Sequence, residues 1–307
     1  MSRLLDDPRE RAVLAAFALG ALLAGGNAVG IRFSNRELDP LWGAGLRFSL
    51  AAVVLWALMA WLRLGPPRGR ALTGALLFGL FNFFGAFALA YVALVELHAG
   101  FGQILLALVP LITLLVAVAW RQERLGAGAV VGTLLSLAGV ALMSQAPLRE
   151  SVPPTAVLAA VGSAFCFAQA AVLVRRFPPL HPVAINAVGM AAGAAALILV
   201  SAAAGEALVL PELADTWLAM AYLVAVGSVA VFLLYLFVLR QWPASRAAYV
   251  FVLIPFVTVA LSAWLDDEPI GAGLLLGGAL VLAGVYVGAL RPARERVKPA
   301  GSAERAA

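Results

Sequence analysis

The 307 residues predict an all-α membrane protein: ten transmembrane helices arranged as two inverted five-helix repeats, with both termini in the cytoplasm. Three observations lead there. Hydrophobic residues make up 64% of the chain, charged residues 12%, and mean hydropathy is +1.00, whereas a soluble domain is about half apolar and about a quarter charged. The apolar residues gather into runs of about 20, the length a helix needs to cross a ~30 Å hydrocarbon layer. The second half of the chain also repeats residues of the first in the same order.

The runs lie at about 12–33, 41–62, 71–92, 98–120, 126–145, 155–175, 183–203, 213–239, 244–265 and 270–290. Prolines punctuate them at Gly65-Pro66-Pro67, Pro147, Pro153-Pro154, Pro178-Pro179, Pro182, Pro211, Pro243 and Pro269, near run boundaries where a missing N–H does no harm. The N-terminal MSRLLDDPRER carries mixed charge and leads into an apolar run with no clear cleavage site. That run is therefore expected to be the first span and not a removed signal peptide.

Orientation follows from the cations. Arg3, Arg9, Arg11, Arg63, Arg68, Arg70, Arg121, Arg124, Arg175, Arg176, Arg240, Arg246 and the basic tail fall on one side, against Arg36 and Arg149, with Arg32 at a helix end, on the other. Positively charged loops stay inside, so both termini are placed in the cytoplasm of a bacterial-type inner membrane. The net charge of +5 then reports topology and attraction to lipid headgroups, and no nucleic-acid partner is expected. Residues 291–307, polar and containing Pro292 and Pro299, read as a disordered cytoplasmic tail.

The repeat is the sharpest signal. Pro110, Thr113, Glu123, Gly126, Gly128, Gly132, Leu135, Leu137, Ala138, Gly139 and Val140 recur without a gap as Pro255, Thr258, Glu268, Gly271, Gly273, Gly277, Leu280, Leu282, Ala283, Gly284 and Val285. More loosely, Arg32-Phe33 corresponds to Arg176-Phe177, and Pro40 to Pro182. The repeats are placed at 1–145 and 155–290. An odd number of spans per unit inserts the second copy upside down, and such pairs hold a substrate site at their interface near the midplane.

A proline-bearing helix, a Glu at the membrane edge and a Gly-rich helix ending in Leu-Ala-Gly-Val resemble the EamA-type drug/metabolite transporter superfamily. The units are LVPLITLLVAVAWRQERLGAGAVVGTLLSLAGVAL and LIPFVTVALSAWLDDEPIGAGLLLGGALVLAGVYV. The resemblance implies a carrier or exporter of amino acids, nucleotide precursors, sugars or drugs. Its central cavity would come mainly from the first four helices of each half, the fifth packing the halves together. One branch exports aromatic amino acids, and the chain resembles that YddG-like branch, though without a diagnostic motif. Small multidrug exporters, to which the superfamily is related, use a carboxylate in the first span, but Ala12 to Gly26 contains no acidic residue here.

Polar side chains inside spans are costly and therefore mark candidate sites. They are Asn27, Arg47, Asn82 and Gln103, placed from mid-membrane toward the outer face, and Gln169, Asn186, Tyr235 and Tyr249, placed toward the inner face. Each amide has an alternative reading as an interhelical hydrogen bond. Arg47 has two: its charge snorkels to the headgroups, or it binds a substrate carboxylate. Phe78, Phe81 and Phe84 share one spacing and Phe83 and Phe87 another, fitting an aromatic-lined cavity for an amphipathic zwitterion or amine. Trp42, Trp61, Trp120, Trp217, Trp242 and Trp264 are assigned to the interfacial belt. Pro110 and Pro255, read as lying mid-span, are expected to kink their helices and act as paired hinges.

No catalytic residue, metal ligand or cofactor is expected, since HExxH, GxSxG and a Lys-bearing phosphate loop are all missing from the sequence. The only lysine, Lys298, lies in the tail, which argues against phosphorylated cargo. If protons are coupled, Glu96 and His98 are the neighbours to suspect. Glu123 and Glu268 read as stabilisers of the helices that start beside them, at Gly126 and Gly271. Gly128 with Gly132, Gly273 with Gly277 and Gly284 with Gly288 mark faces for close helix approach, joining the halves or two copies. The expected partners are a small-molecule substrate and the bilayer, with the chain working as a monomer. The expected function is export of small metabolites, foremost amino acids with aromatic or bulky apolar side chains; the alternatives are a broad drug or amine exporter and a channel.

Overall fold

The computed structural model describes residues 7–97, 105–143, 153–255, 257 and 272–290, and every regular element among them is helical. Asp7 caps the first helix by accepting from the Arg9 N–H at 2.9 Å, and Pro8 sits in its first turn. This helix, α1 (Pro8–Gly25), breaks at Gly26 and resumes as α2 (Asn27–Ser34). Then come α3 (Pro40–Trp61), α4 (Gly69–Gly79) and α5 (Ala86–Glu96), the last two joined by a π-helical turn, Leu80–Gly85. The first half closes with α6 (Val109–Ala119) and α7 (Ala127–Met143).

The second half follows the same order. It runs α8 (Pro154–Val174), α9 (Pro182–Ala204), α10 (Ala214–Tyr222) and α11 (Val231–Gln241), with a second π-helical turn, Leu223–Ala230, between the last two. It ends with α12 (Ala244–Pro255) and α13 (Ala272–Val285). Prolines open α1, α3, α6, α8 and α9, where the first-turn N–H has no intrahelical partner to lose. Six helical stretches are long and apolar enough to cross a membrane: Pro8–Ile31, Pro40–Trp61, Gly69–Glu96, Pro154–Val174, Pro182–Ala204 and Ala214–Gln241. Shorter apolar helices occupy the places of the expected fourth, fifth, ninth and tenth spans.

Helices at equivalent repeat positions pack on each other. The α3 and α9 helices form one extensive contact, and α7 and α13 the other. In the second, a methyl at Gly132 would lie 2.6 Å from the Gly284 carbonyl oxygen, and one at Gly139 2.6 Å from that of Gly277. Backbone touches backbone there, so the small-residue faces join the two halves within this chain.

Four expectations change. Pro110 opens α6 and does not bend a continuous helix; the chain turns at Ala107–Leu108 and the helix starts after it. The expected place of Pro255 within a span depends on residues 256 and 258–271, which lie outside the described ones. Trp242 is 2% exposed and packs its ring at a tilt against Phe17 at 5.3 Å, so it is a core residue, whereas Trp61 is 78% exposed. Glu123 accepts from the Ser245 N–H at 3.2 Å and from its hydroxyl, so it caps α12 of the other half and not its own neighbour. The phenylalanine stripes also differ. The π turn lets Phe78 and Phe83, five residues apart, meet edge-on at 5.6 Å, and Phe83 reaches Phe48 and Phe232. His98, Gln103, Trp264, Glu268 and the tail lie outside the described residues.

Candidate functional site

The site is built on two interrupted helices. Where α1 breaks, the Leu23 carbonyl is taken by the hydroxyl of Tyr222, which donates to it at 2.6 Å. A side chain entering the backbone ladder in this way is a recognised cause of a helix break. A methyl at Gly26 would displace that tyrosine, so the hydrogen bond at the break depends on the glycine. Asn27 follows as the first residue of α2.

Opposite stands the second π turn. The Val231 N–H bonds to the carbonyls of Val226 and Ser228 and skips that of Gly227. Arg47 of α3 takes the skipped group: Nη2 donates to the Gly227 carbonyl at 3.1 Å and to Asn27 Oδ1 at 3.3 Å, while Nε donates to Ser228 Oγ at 2.8 Å. Its side chain is 0% exposed, so the snorkelling reading fails; the charge points into the protein. The guanidinium faces the rings of Phe48 and Phe87 at 5.0 and 5.2 Å. The Tyr91 hydroxyl lies close enough to interact with it, though outside regular hydrogen-bond geometry, and neither that hydroxyl nor Arg47 Nη1 has another partner among the described residues.

Next to this cluster is a cavity of about 150 Å³, bounded by α1, α2, α5, α8, α11 and α12 and by Leu106 ahead of α6. Rings of Phe17, Phe87, Phe167, Phe232 and Phe251 form much of its wall, and Asn27, Ser163 and Tyr235 bring the polar side chains. Ser163 spends its proton on the Ala86 carbonyl at 2.8 Å, so toward a ligand it can act only as an acceptor. No carboxylate is in this wall among the described residues.

Of the candidates, Asn27 and Tyr235 line the cavity and Arg47 lies directly behind Asn27. Asn82 and Asn186 are buried outside its wall, and neither amide has a hydrogen-bond partner among the described residues. Tyr249 is drawn away as well: its hydroxyl donates to the Ala129 carbonyl at 2.8 Å and pairs with Thr133 at 3.0 Å, tying α12 to α7. Gln169 is half-buried and not in the wall. Sequence reasoning passed over Ser163, Ser228, Tyr91 and Tyr222. Serines are common in helix contacts, Tyr222 and Ser228 stand at an unforeseen π turn, and Tyr91 offered no signal beyond its hydroxyl in an apolar span.

Known proteins place this architecture. The profile described as "EamA-like transporter family" matches twice, over residues 11–145 and 154–289. The "Uncharacterized inner membrane transporter YedA" of Escherichia coli strain K12 is 30% identical over 265 residues, covering 84% of each chain. The "Uncharacterized transporter YyaM" of Bacillus subtilis strain 168 is 27% identical over 263 residues, covering 83% of this chain and 86% of that one. A known crystal structure shares the fold with a TM-score of 0.76 at 21% identity, over 91% of this chain and 98% of the other. With two matches spanning nearly its whole length and membrane-crossing helices in both, the chain belongs to the EamA-like transporter family.

Proposed function

We propose that the protein is a secondary carrier that exports small metabolites by alternating access, foremost amino acids with aromatic or bulky apolar side chains. The observation that carries this reading is the ring-lined cavity of about 150 Å³. An apolar cavity of about that volume admits a benzene-sized body, and the phenylalanine rings offer edge-to-face partners for an aromatic side chain. Asn27 and Tyr235 orient the cargo, with Arg47 behind them; Asn82, Gln103, Gln169, Asn186 and Tyr249 belong to the surrounding pathway and its packing. The name of the Escherichia coli relative supports an inner-membrane location. Both termini face the cytoplasm across ten spans, so reporters fused after Leu94 and after Arg124 report outside and inside respectively. Pro110 and Pro255, at equivalent places, are the joints about which the halves rock.

A broad drug or amine exporter is the second reading, disfavoured by a cavity wall that has no carboxylate for a cation among the described residues. The deciding experiment is purified protein in liposomes loaded with labelled amino acids, with and without a proton gradient. Saturable efflux of aromatic and branched-chain amino acids is expected. Efflux of amines alone would overturn the substrate assignment, and non-saturating flux would indicate a channel.

A further inference from the structure

A carrier of uncharged or cationic cargo has no use for the Arg47 guanidinium. The side chain is 0% exposed, and a buried charge is tolerated only when its hydrogen bonds and a counter-charge repay the lost hydration. A guanidinium does not give up its proton in proteins. Yet the groups around it, Ser228 Oγ, the Gly227 carbonyl, Asn27 Oδ1 and the adjoining Tyr91 hydroxyl, are all neutral, and Nη1 makes no regular hydrogen bond among the described residues.

The guanidinium is next to the cavity. Asn27 and Phe87 belong both to the cavity wall and to the surroundings of the guanidinium. The bond from Nη2 to Asn27, 3.3 Å, is the longest that Arg47 makes, and Asn27 starts a helix just after the break at Gly26. A planar guanidinium presents paired N–H groups matched in spacing to the two oxygens of a carboxylate. We propose that Arg47 recognises the carboxylate of an apolar monocarboxylate substrate, Nη1 and Nη2 taking its two oxygens as Asn27 yields its long bond. This rests on the reading of the cavity as the substrate site. The apolar body then lies among Phe87, Phe167 and Phe232. An ammonium group is dispensable, because the wall offers it neutral oxygens alone; an amine without a carboxylate is rejected by the unneutralised charge.

The test is equilibrium binding to the purified full-length chain in lipid nanodiscs, with four probes that share one ring: 3-phenylpropanoate, phenylalanine, 3-phenylpropanamide and 2-phenylethylamine. Both carboxylates should bind about tenfold or more tighter than the amide and the amine, as a charge-assisted bidentate pair implies. Arg47→Gln should abolish that ratio, and Arg47→Lys, which keeps charge but not the planar fork, should retain part of it. A ratio measured within one preparation is insensitive to the fraction folded. Should Arg47→Gln not fold, the wild-type ratio and Arg47→Lys decide. If the amide binds the wild-type protein as tightly as 3-phenylpropanoate, or Arg47→Gln keeps the carboxylate ratio, the recognition role is wrong while the cavity stands. If none of the four binds, the cavity reading fails and this inference with it.

Discussion

The two halves build the same contact from opposite materials. In each, a long helix carries a π turn at the same repeat position: the offset that takes Pro110 to Pro255 carries Leu80–Gly85 into Leu223–Ala230. In each case the second helix of the other half packs against that region, α9 against the first and α3 against the second. The offset that takes Pro40 to Pro182 takes Arg47 to Gly189. At one contact, a guanidinium fills the space and binds a carbonyl the π turn leaves over. At the other, Gly189 lies against the backbone of Gly79, and Gly193 against Phe83. Duplication preserved the backbone device, and a single residue choice made one copy a charged site and the other a dry packing face.

The largest effect that tests this contrast is on the dry face. Gly189→Leu forces a side chain into the Gly79 backbone, which cannot rotate aside, and should cost about 3 kcal/mol or more. Thermal unfolding of the purified protein measures it. Wild-type melting would mean the backbones are free to separate, and the contrast between the two contacts would break.

A smaller effect separates the tyrosines around the charged face. Tyr222→Phe strands the Leu23 carbonyl at the helix break and should cost about 1 kcal/mol, near the usual value of a hydrogen bond inside a membrane. Tyr91→Phe removes a hydroxyl with no hydrogen-bond partner among the described residues and should change stability by no more than a few tenths of a kcal/mol. Equal losses from the two would sharpen the picture differently, making Tyr91 a partner of Arg47.

The smallest effect lies outside the spans, where the halves exchange caps at one end of the bundle. Glu206 accepts from the N–H groups of Leu41 and Trp42 at the start of α3, while Glu37 accepts from those of Glu212 and Leu213 just before α10. A hydrogen bond from Thr216, helped by these two N–H groups, holds the Glu37 carboxyl below its ordinary range against the opposing effect of desolvation. A lowered folded value means that Glu37 stabilises the fold above the unfolded value of about 4.3. That contribution is lost as pH falls from there through the folded value. Melting temperature followed below pH of about 4.3 should therefore fall more steeply for the wild type than for Glu37→Gln. Identical slopes would assign no role to this cap.

Spans, breakers and the duplication were legible because each is written in one dimension: an apolar run has a length, a proline has a position, a repeat has an offset. Pro154 and Pro182, expected at run boundaries, open helices, and the Gly132 and Gly284 faces met as small residues must. The cavity was legible only in part. Asn27 and Tyr235 were found from their polarity, but Asn82 and Tyr249 have the same polarity and lie elsewhere. Polarity marks a residue as needing a partner without saying which partner it meets.

By itself, the sequence determined the solvent, the approximate places of the helices, the two-fold duplication and the short list of polar residues from which a site must be drawn. Hydrophobicity and chain length act locally, so one strand of letters suffices for these. Tertiary structure alone decided that α1 would break onto a tyrosine from α10, that Phe78 and Phe83 would share a face, and that Arg47 would turn inward. Each depends on a change of helical period or on an atom nearly two hundred positions away in the chain, as Leu23 is from Tyr222. The periodicity of an ideal helix contains neither, and contact between helices supplies both.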